Sequence, residues 1–388
     1  MSWRLSRFRT GELVKVRSKE EILATLTPDG RIDGMPFMPE MLQYCGQEFP
    51  VGSVAHKTCE TAKRTYQGRR LETMVHLGDL RCDGSAHGGC QAACRFFWRD
   101  EWLQPVGEPV KPVTSSLAKP SSQCDEASLI ASTQKPPRAG ANGPRYSCQA
   151  TELLDATSPL RWWDPRQYLL DITTGNHSIG AVIRALWLGA MRSWLRNTPR
   201  GYRVVRRLRE ISHRVLVGGE IPDVQGAVPA GQPTPAGRID LKAGERVRIK
   251  AKSEIIQTIR EGNNSNRGLS FDQEMVRYCG SVATVHSSVT NIINEDTGEM
   301  VSMKQPCIIL DGVVCMGEYS QCRLMCPRQL PTFWRELWLE RVDEQNAESD
   351  DVQHSVRSLP DFASHQTQAL PVAAAEGGTE PAEMVRQA

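Results

Sequence analysis

The chain repeats itself, and this limits its architecture more than any single motif does. The run Gly11-Glu12-Leu13-Val14-Lys15-Val16-Arg17 matches Gly244-Glu245-Arg246-Val247-Arg248-Ile249-Lys250. The match continues through Glu21, Ile22 and Thr25, which meet Glu254, Ile255 and Thr258. After one inserted residue it resumes: Gly34, Phe37, Glu40, Met41, Tyr44, Cys45 and Gly46 meet Gly268, Phe271, Glu274, Met275, Tyr278, Cys279 and Gly280. Near the end, Phe97-Trp98-Arg99 and Trp102-Leu103 meet Phe333-Trp334-Arg335 and Trp338-Leu339. Across three ungapped blocks 20 of 39 positions are identical, so the sequence implies two diverged copies of one domain of about a hundred residues. A feature held by both copies belongs to their common fold. A feature held by one is a candidate for something special.

Each copy reads as a small α+β domain. Val14 and Val16 alternate with charged residues, which predicts a half-buried strand. Residues 19–26 predict a short helix, with Ser18 and Glu21 spaced as a capping box; the second copy keeps Glu254 but has Ala251 at the cap position. Pro39–Tyr44 predicts a second short helix. Strands are expected at Phe49–Val54, Met74–Leu80, Met300–Met303 and Cys307–Val314, with a hairpin turn at Glu295-Asp296-Thr297-Gly298. Arg95–Leu103 predicts a helix with Trp98 and Trp102 on one face, as core rather than ligand surface. The opening Gly-Glu-x-Val-x-Val resembles the first strand of SH3-like barrels. The expected fold class is therefore α+β: two SH3-like or barrel-like domains with inserted helices, joined by disordered linkers and a helical segment.

Composition sets the boundaries. The 24 prolines and 31 glycines point to unstructured stretches. Residues 1–106 and 241–342 form the two cysteine-rich domains, and residues 107–160 read as a disordered linker holding Cys124 and Cys148. Residues 161–219 read as an Arg/Trp-rich helical segment, 220–240 as a Pro/Gly connector, and 343–388 as a disordered acidic tail. A net charge of +2 gives no global field toward nucleic acid. The basic N-terminus is followed by no apolar run of the kind a secretory signal needs, so a cytoplasmic protein with reduced thiols is expected.

The twelve cysteines carry the clearest chemistry. One copy has Cys82, Cys90 and Cys94; the other has Cys315, Cys322 and Cys326, with the same final Cys-x3-Cys spacing. Cys59 and Cys307 lie upstream and would supply a fourth sulfur to each copy. Four thiolates suit tetrahedral zinc, or alternatively an iron–sulfur cluster. The competing expectation is that these are small buried apolar residues of a reduced core. His87 breaks the symmetry, since Ser320 stands at its offset. It could replace one sulfur or act as the catalytic acid or base, against the plainer reading of an exposed histidine in a glycine-rich loop.

The middle segment adds an arginine-rich run. Residues 178–214 hold nine arginines and one acid, Glu210, beside Trp187, Leu188, Met191, Trp194 and Leu195. This composition fits a helix on an anionic membrane surface, or one docked on a domain with its arginines in water. No nucleic-acid motif accompanies the charge, so that partner is disfavoured.

Taken together, Phe271-Asp272-x-Glu274-Met275, Tyr278-Cys279-Gly280 and Phe333-Trp334-Arg335-Glu336-x-Trp338-Leu339 resemble uncharacterised bacterial tandem-repeat proteins of polysaccharide and natural-product gene clusters. That resemblance implies an accessory or tailoring role in bacterial biosynthesis and transfers no functional residue. No Walker loop, dinucleotide fingerprint, nucleophile elbow or His-Glu-x-x-His occurs. The expected function is a metal-stabilised tandem module holding a partner or substrate. The alternatives are a metal- or iron–sulfur-dependent tailoring enzyme with its site in the first copy, and membrane-surface association through the arginine helix.

Overall fold

The computed structural model describes residues 3–63, 67–107, 124–137, 143–197, 202–217, 222–319 and 324–342. The acidic tail expected at 343–388 lies outside the described residues. Two five-stranded antiparallel sheets dominate a mixed helix-and-sheet chain, and neither closes into a barrel.

In the N-terminal unit the strands are β1 (Leu13–Val16), β2 (Glu48–Val54), β3 (Met74–Leu77), β4 (Trp98–Arg99) and β5 (Leu103–Pro105), in spatial order β4-β3-β2-β1-β5. In the C-terminal unit they are β6 (Arg246–Ile249), β7 (Val282–Ile293), β8 (Met300–Val314), β9 (Pro331–Trp334) and β10 (Leu339–Arg341), in order β9-β8-β7-β6-β10. The two orders are the same when each unit is counted from its own first strand. Register agrees as well: Val14 faces Phe49 and Val247 faces Ala283, while Val16 faces Leu103 and Ile249 faces Leu339. The alternation in β1 works as expected, for Val14 and Val16 are wholly buried and Lys15 is not.

Helix α1 (Lys19–Thr25) starts where the capping box places it. Ser18 Oγ accepts from Glu21 N at 3.2 Å and Glu21 Oε2 accepts from Ser18 N at 3.0 Å. The residues at Pro39–Tyr44 take a 3-10 rather than an α conformation. The stretch 95–103 differs from the expected helix: it is β4, one 3-10 turn at Asp100–Trp102, and β5. Two tryptophans four apart suggest helical spacing, but strand pairing of Trp98 with Val75 wins. The core assignment survives, since Trp98, Trp102, Trp334 and Trp338 are all fully buried. Phe37 stacks edge-on to Trp98 and Trp102, and Phe271 does the same with Trp334 and Trp338.

The described part of the expected disordered linker is ordered and packed. Residues 108–123 and 138–142 lie outside the described residues, but the rest of 124–160 is packed on the N-terminal unit. Helix α2 (Glu126–Ser132) is capped by Asp125, and Leu129, Cys124, Cys148 and Leu153 join the first core. Buried Gln149 acts as a strand substitute: its Oε1 accepts from Phe97 N at 2.8 Å, and its Nε2 donates to Phe97 O at 2.8 Å and Pro36 O at 3.0 Å. These polar contacts satisfy backbone groups that composition alone cannot anticipate. Ser158–Leu160 then pairs with Gly68–Arg70, which pairs with Lys57–Cys59 in a three-stranded side sheet.

Helices α3 (Pro165–Thr173), α4 (Ile179–Asn197) and α5 (Tyr202–Leu216) follow. Tyr168, Ala181 and Val182 pack with Leu324 and Met325, so these helices dock on the C-terminal unit. Among the described residues no helix is long and apolar enough to cross a membrane. Helix α6 (Lys252–Ile256) lacks a side-chain cap at Ala251.

Candidate metal centre

The loop from Cys82 to Cys94 joins β3 to β4. Its ends are tied by Cys82 N donating to Cys94 O at 2.8 Å. Inside, His87 N and Gly89 N both donate to Gly84 O, at 3.1 and 2.9 Å. Gly84 and Gly88 have positive φ, and a Cβ at either would overlap the Cys90 backbone or the Tyr146 ring. The space beside these two glycines is thus filled by the chain itself. Cys90 and Cys94 do not share a helix face, because Ala93 sits at φ +49 and turns the chain. Met325, before Cys326 in the other unit, also has positive φ, at +59.

His87 is buried, not exposed. Its Nε2 lies 3.6 Å from Cys82 Sγ, its Nδ1 lies 2.8 Å from Glu40 Oε1, and the ring also bonds the Cys90 thiol. Donor atoms of Glu40, Cys82 and His87 all fall within 4.8 Å of one another. Cys90 Sγ accepts from Ile293 N at 3.4 Å, a contact from the opposite unit. Burial works against charge on His87, but its bonds to Cys82, Cys90 and Glu40 hold its proton far more firmly than usual. Burial likewise opposes ionisation of Glu40 and Cys90, and the His87 contacts hold both below their ordinary values.

Glu40 is the site residue that sequence reasoning missed. Its Oε1 also accepts from Ala86 N at 3.0 Å. In the other unit Glu274 accepts from Glu318 N at 3.1 Å and Tyr319 N at 2.7 Å. The glutamate therefore holds the cysteine loop in both units, and in the first it also orients an imidazole. The signal was available: a buried-pattern acid shared by both copies inside an apolar turn.

The other cysteines divide differently from the expected sets. Cys94 is half-buried, with Cys82, Cys148 and Arg328 in its electrostatic surroundings, and desolvation pushes its thiol well up. It is not in the close donor group. Cys59 does not complete the first set: its thiol bonds Cys326 of the C-terminal unit, with Cys315 close enough to act on it electrostatically. Cys307 does not complete the second: its sulfur contacts Met303 Sδ and Arg335 Nη1, each at 3.5 Å, in an apolar cluster with Val289 and Ile309. A position on a long central strand facing a core explains this. Cys322 lies outside the described residues.

A second buried polar cluster lies beside Cys59. Lys57 Nζ is 2.5 Å and His56 Nε2 3.3 Å from the carboxylate of Asp171, which is wholly buried. The Lys57 ammonium also lies 5.0 Å from the Tyr168 ring centre. Burial pushes nearby His177 down to about 4, with the Lys57 charge adding to it against Asp171. An unfolded histidine takes its proton near pH 6.5. Between these values the unfolded chain binds more protons, so stability falls as pH drops from about 6.5 to about 4, by roughly 2–3 kcal/mol. Urea midpoints measured across that window should decline, and His177→Asn should flatten the decline. An equally steep profile in the variant would assign the effect elsewhere.

The chain matches no protein-family model, and no curated protein matches it either.

Proposed function

We propose that the protein is a tandem SH3-like accessory module whose first unit is locked by a zinc-class ion at the Glu40–Cys82–His87 group. It holds a partner or substrate of bacterial biosynthesis rather than transforming one. The observation that carries the reading is the His87 ring, buried between one carboxylate and two thiols. A carboxylate on one imidazole nitrogen with sulfur near the other is how protein zinc sites fix a histidine ligand. The mixed nitrogen and sulfur donors suit zinc better than an iron–sulfur cluster, which is held by thiolates. Burial of Glu40, His87 and Cys90 supports a structural ion, since a catalytic one needs a position open to substrate. In both units the last strand returns beside the first after a 3-10 turn, which supports duplication and the SH3-like assignment.

Metal analysis of anaerobically purified protein tests this. One equivalent of zinc should be lost in His87→Ala and Cys82→Ser, with a fall in Tm, and Glu40→Gln should weaken binding by about 10- to 100-fold. A metal-free protein whose Tm ignores both chelator and the His87 substitution would end the proposal.

A second reading, association with an anionic bilayer surface, is favoured by the α4–α5 hairpin. Val204, Leu208, Ile211 and Val215 lie along one exposed face of α5, next to exposed Ile183 and Trp187 of α4. Arg207 and Arg214 flank that face. Phosphatidylglycerol vesicles should co-float the protein while phosphatidylcholine vesicles do not, and Leu208→Glu with Val215→Glu should abolish it. Equal flotation of variant and native protein would dismiss the surface.

A further inference from the structure

A cleft of about 410 Å³ opens on the N-terminal unit and shares no lining residue with the cysteine loop. Three separate pieces of chain build its walls. The N-terminal segment supplies Trp3, the side sheet supplies Arg70 and Pro159, and the turn into α3 supplies Arg161, Trp163 and Arg166. The volume lies in the range of small-molecule sites.

The common fold does not demand this cleft. Extending the first alignment block backwards without a gap places Phe8 opposite Leu241, and each is buried in its own core. The hydrogen bonds agree with that register: Arg7 N donates to Asp100 at 2.8 Å, and Asp240 N to Glu336 at 2.9 Å. Trp3 then meets Ala236, and residues 159–166 lie between the two copies. The indole and the arginine-bearing turn are thus additions to the first unit.

The lining has a definite chemistry. The guanidinium groups of Arg70 and Arg166 lie 5.3 and 5.8 Å from the Trp3 ring centre, so two cations hold this indole in place. Both cations are already matched by acids: Asp164 accepts from Arg166 Nη2 at 2.6 Å, and Glu72 from Arg70 Nη2 at 2.7 Å. Arg161 has no carboxylate partner among the described residues, and its guanidinium lies 5.4 Å from the Trp163 ring centre. Trp163 is 59% exposed, which leaves ring surface for a ligand to cover. An unmatched guanidinium beside an open indole favours a molecule that offers a negative group and a flat face together.

We propose that this cleft binds a small organic anion whose flat ring stacks on Trp163 and whose phosphate or carboxylate is held by Arg161. The site shares no residue with the Glu40–Cys82–His87 group and does not depend on a metal there.

Calorimetric titration of the full chain tests this, with adenosine diphosphate as the phosphate probe and salicylate as the carboxylate probe. At least one should bind, and the tighter of the two identifies the anionic group. Adenosine and inorganic phosphate, or phenol and acetate, should each bind at least about 10-fold more weakly than the whole probe they compose. Arg161 and Trp163 are both exposed, so their alanine variants should keep the native Tm. Trp163→Ala should weaken binding by about 10-fold or more, and Arg161→Ala by a similar factor. Absence of binding by both probes at about 1 mM would overturn the proposal. So would unchanged affinity in either variant, or inorganic phosphate that binds as tightly as adenosine diphosphate.

Discussion

Asp171→Ala is expected to destabilise the protein by about 3–5 kcal/mol, because it leaves a buried ammonium without its counter-ion. The Lys57 side chain is only 4% exposed and Asp171 not at all. Burial opposes the Asp171 charge, but Lys57 and then His56 outweigh it and keep the carboxylate ionised. Urea denaturation reads the effect. The double change Lys57→Met with Asp171→Leu should recover most of the loss, since an apolar pair of similar volume carries no desolvation cost. A single-variant loss below about 1 kcal/mol would mean that water reaches the pair. The cluster also links the side sheet, through Lys57, to α3, through Asp171, so the loss should appear as detachment of the helical segment as well.

Truncating the core tryptophans should cost a similar amount, about 3–5 kcal/mol each for Trp98→Ala and Trp334→Ala. The conservative changes separate the two units. Trp334 Nε1 donates to Thr332 Oγ1 at 2.9 Å and Trp338 Nε1 to Thr258 Oγ1 at 2.8 Å. Among the described residues, the indole N–H groups of Trp98 and Trp102 have no acceptor. Phe96 takes the place of Thr332 and packs edge-on to Trp98, at 6.2 Å between ring centres. Trp334→Phe therefore loses a hydrogen bond and Trp98→Phe does not, a difference of about 1 kcal/mol. Denaturation midpoints for the two phenylalanine variants check this. A Trp98→Phe loss as large as the Trp334→Phe loss would contradict the unsatisfied indole.

Much of each sheet was legible because its signals are local. The alternation of Val14 and Val16, the Ser18–Glu21 box and the Gly298 turn each depend on neighbours within a few residues, and each stands where the sequence put it. The 95–103 segment misled because spacing four fits a helix and also fits a strand broken by a 3-10 turn. The packed part of 124–160 was hidden because its anchors are side-chain-to-backbone bonds such as those of Gln149. The cysteine loops were identified, and His87 was singled out from its asymmetry. What spacing could not convey was that Cys59 belongs with the opposite unit, since sequence distance carries no information on which sheet edge a loop covers.

The contact of Cys90 with the opposite unit also bears on how the chain matures. Cys90 waits for Ile293, 203 residues further along, before its sulfur is covered. A nascent N-terminal unit leaving the ribosome therefore presents a thiol-rich loop to its surroundings until those further 203 residues have followed. Contacts so remote in sequence slow folding and lengthen the period in which the half-made product is vulnerable to aggregation. The same arrangement makes the finished halves poor candidates for independent life, because each lends the other part of its own surface.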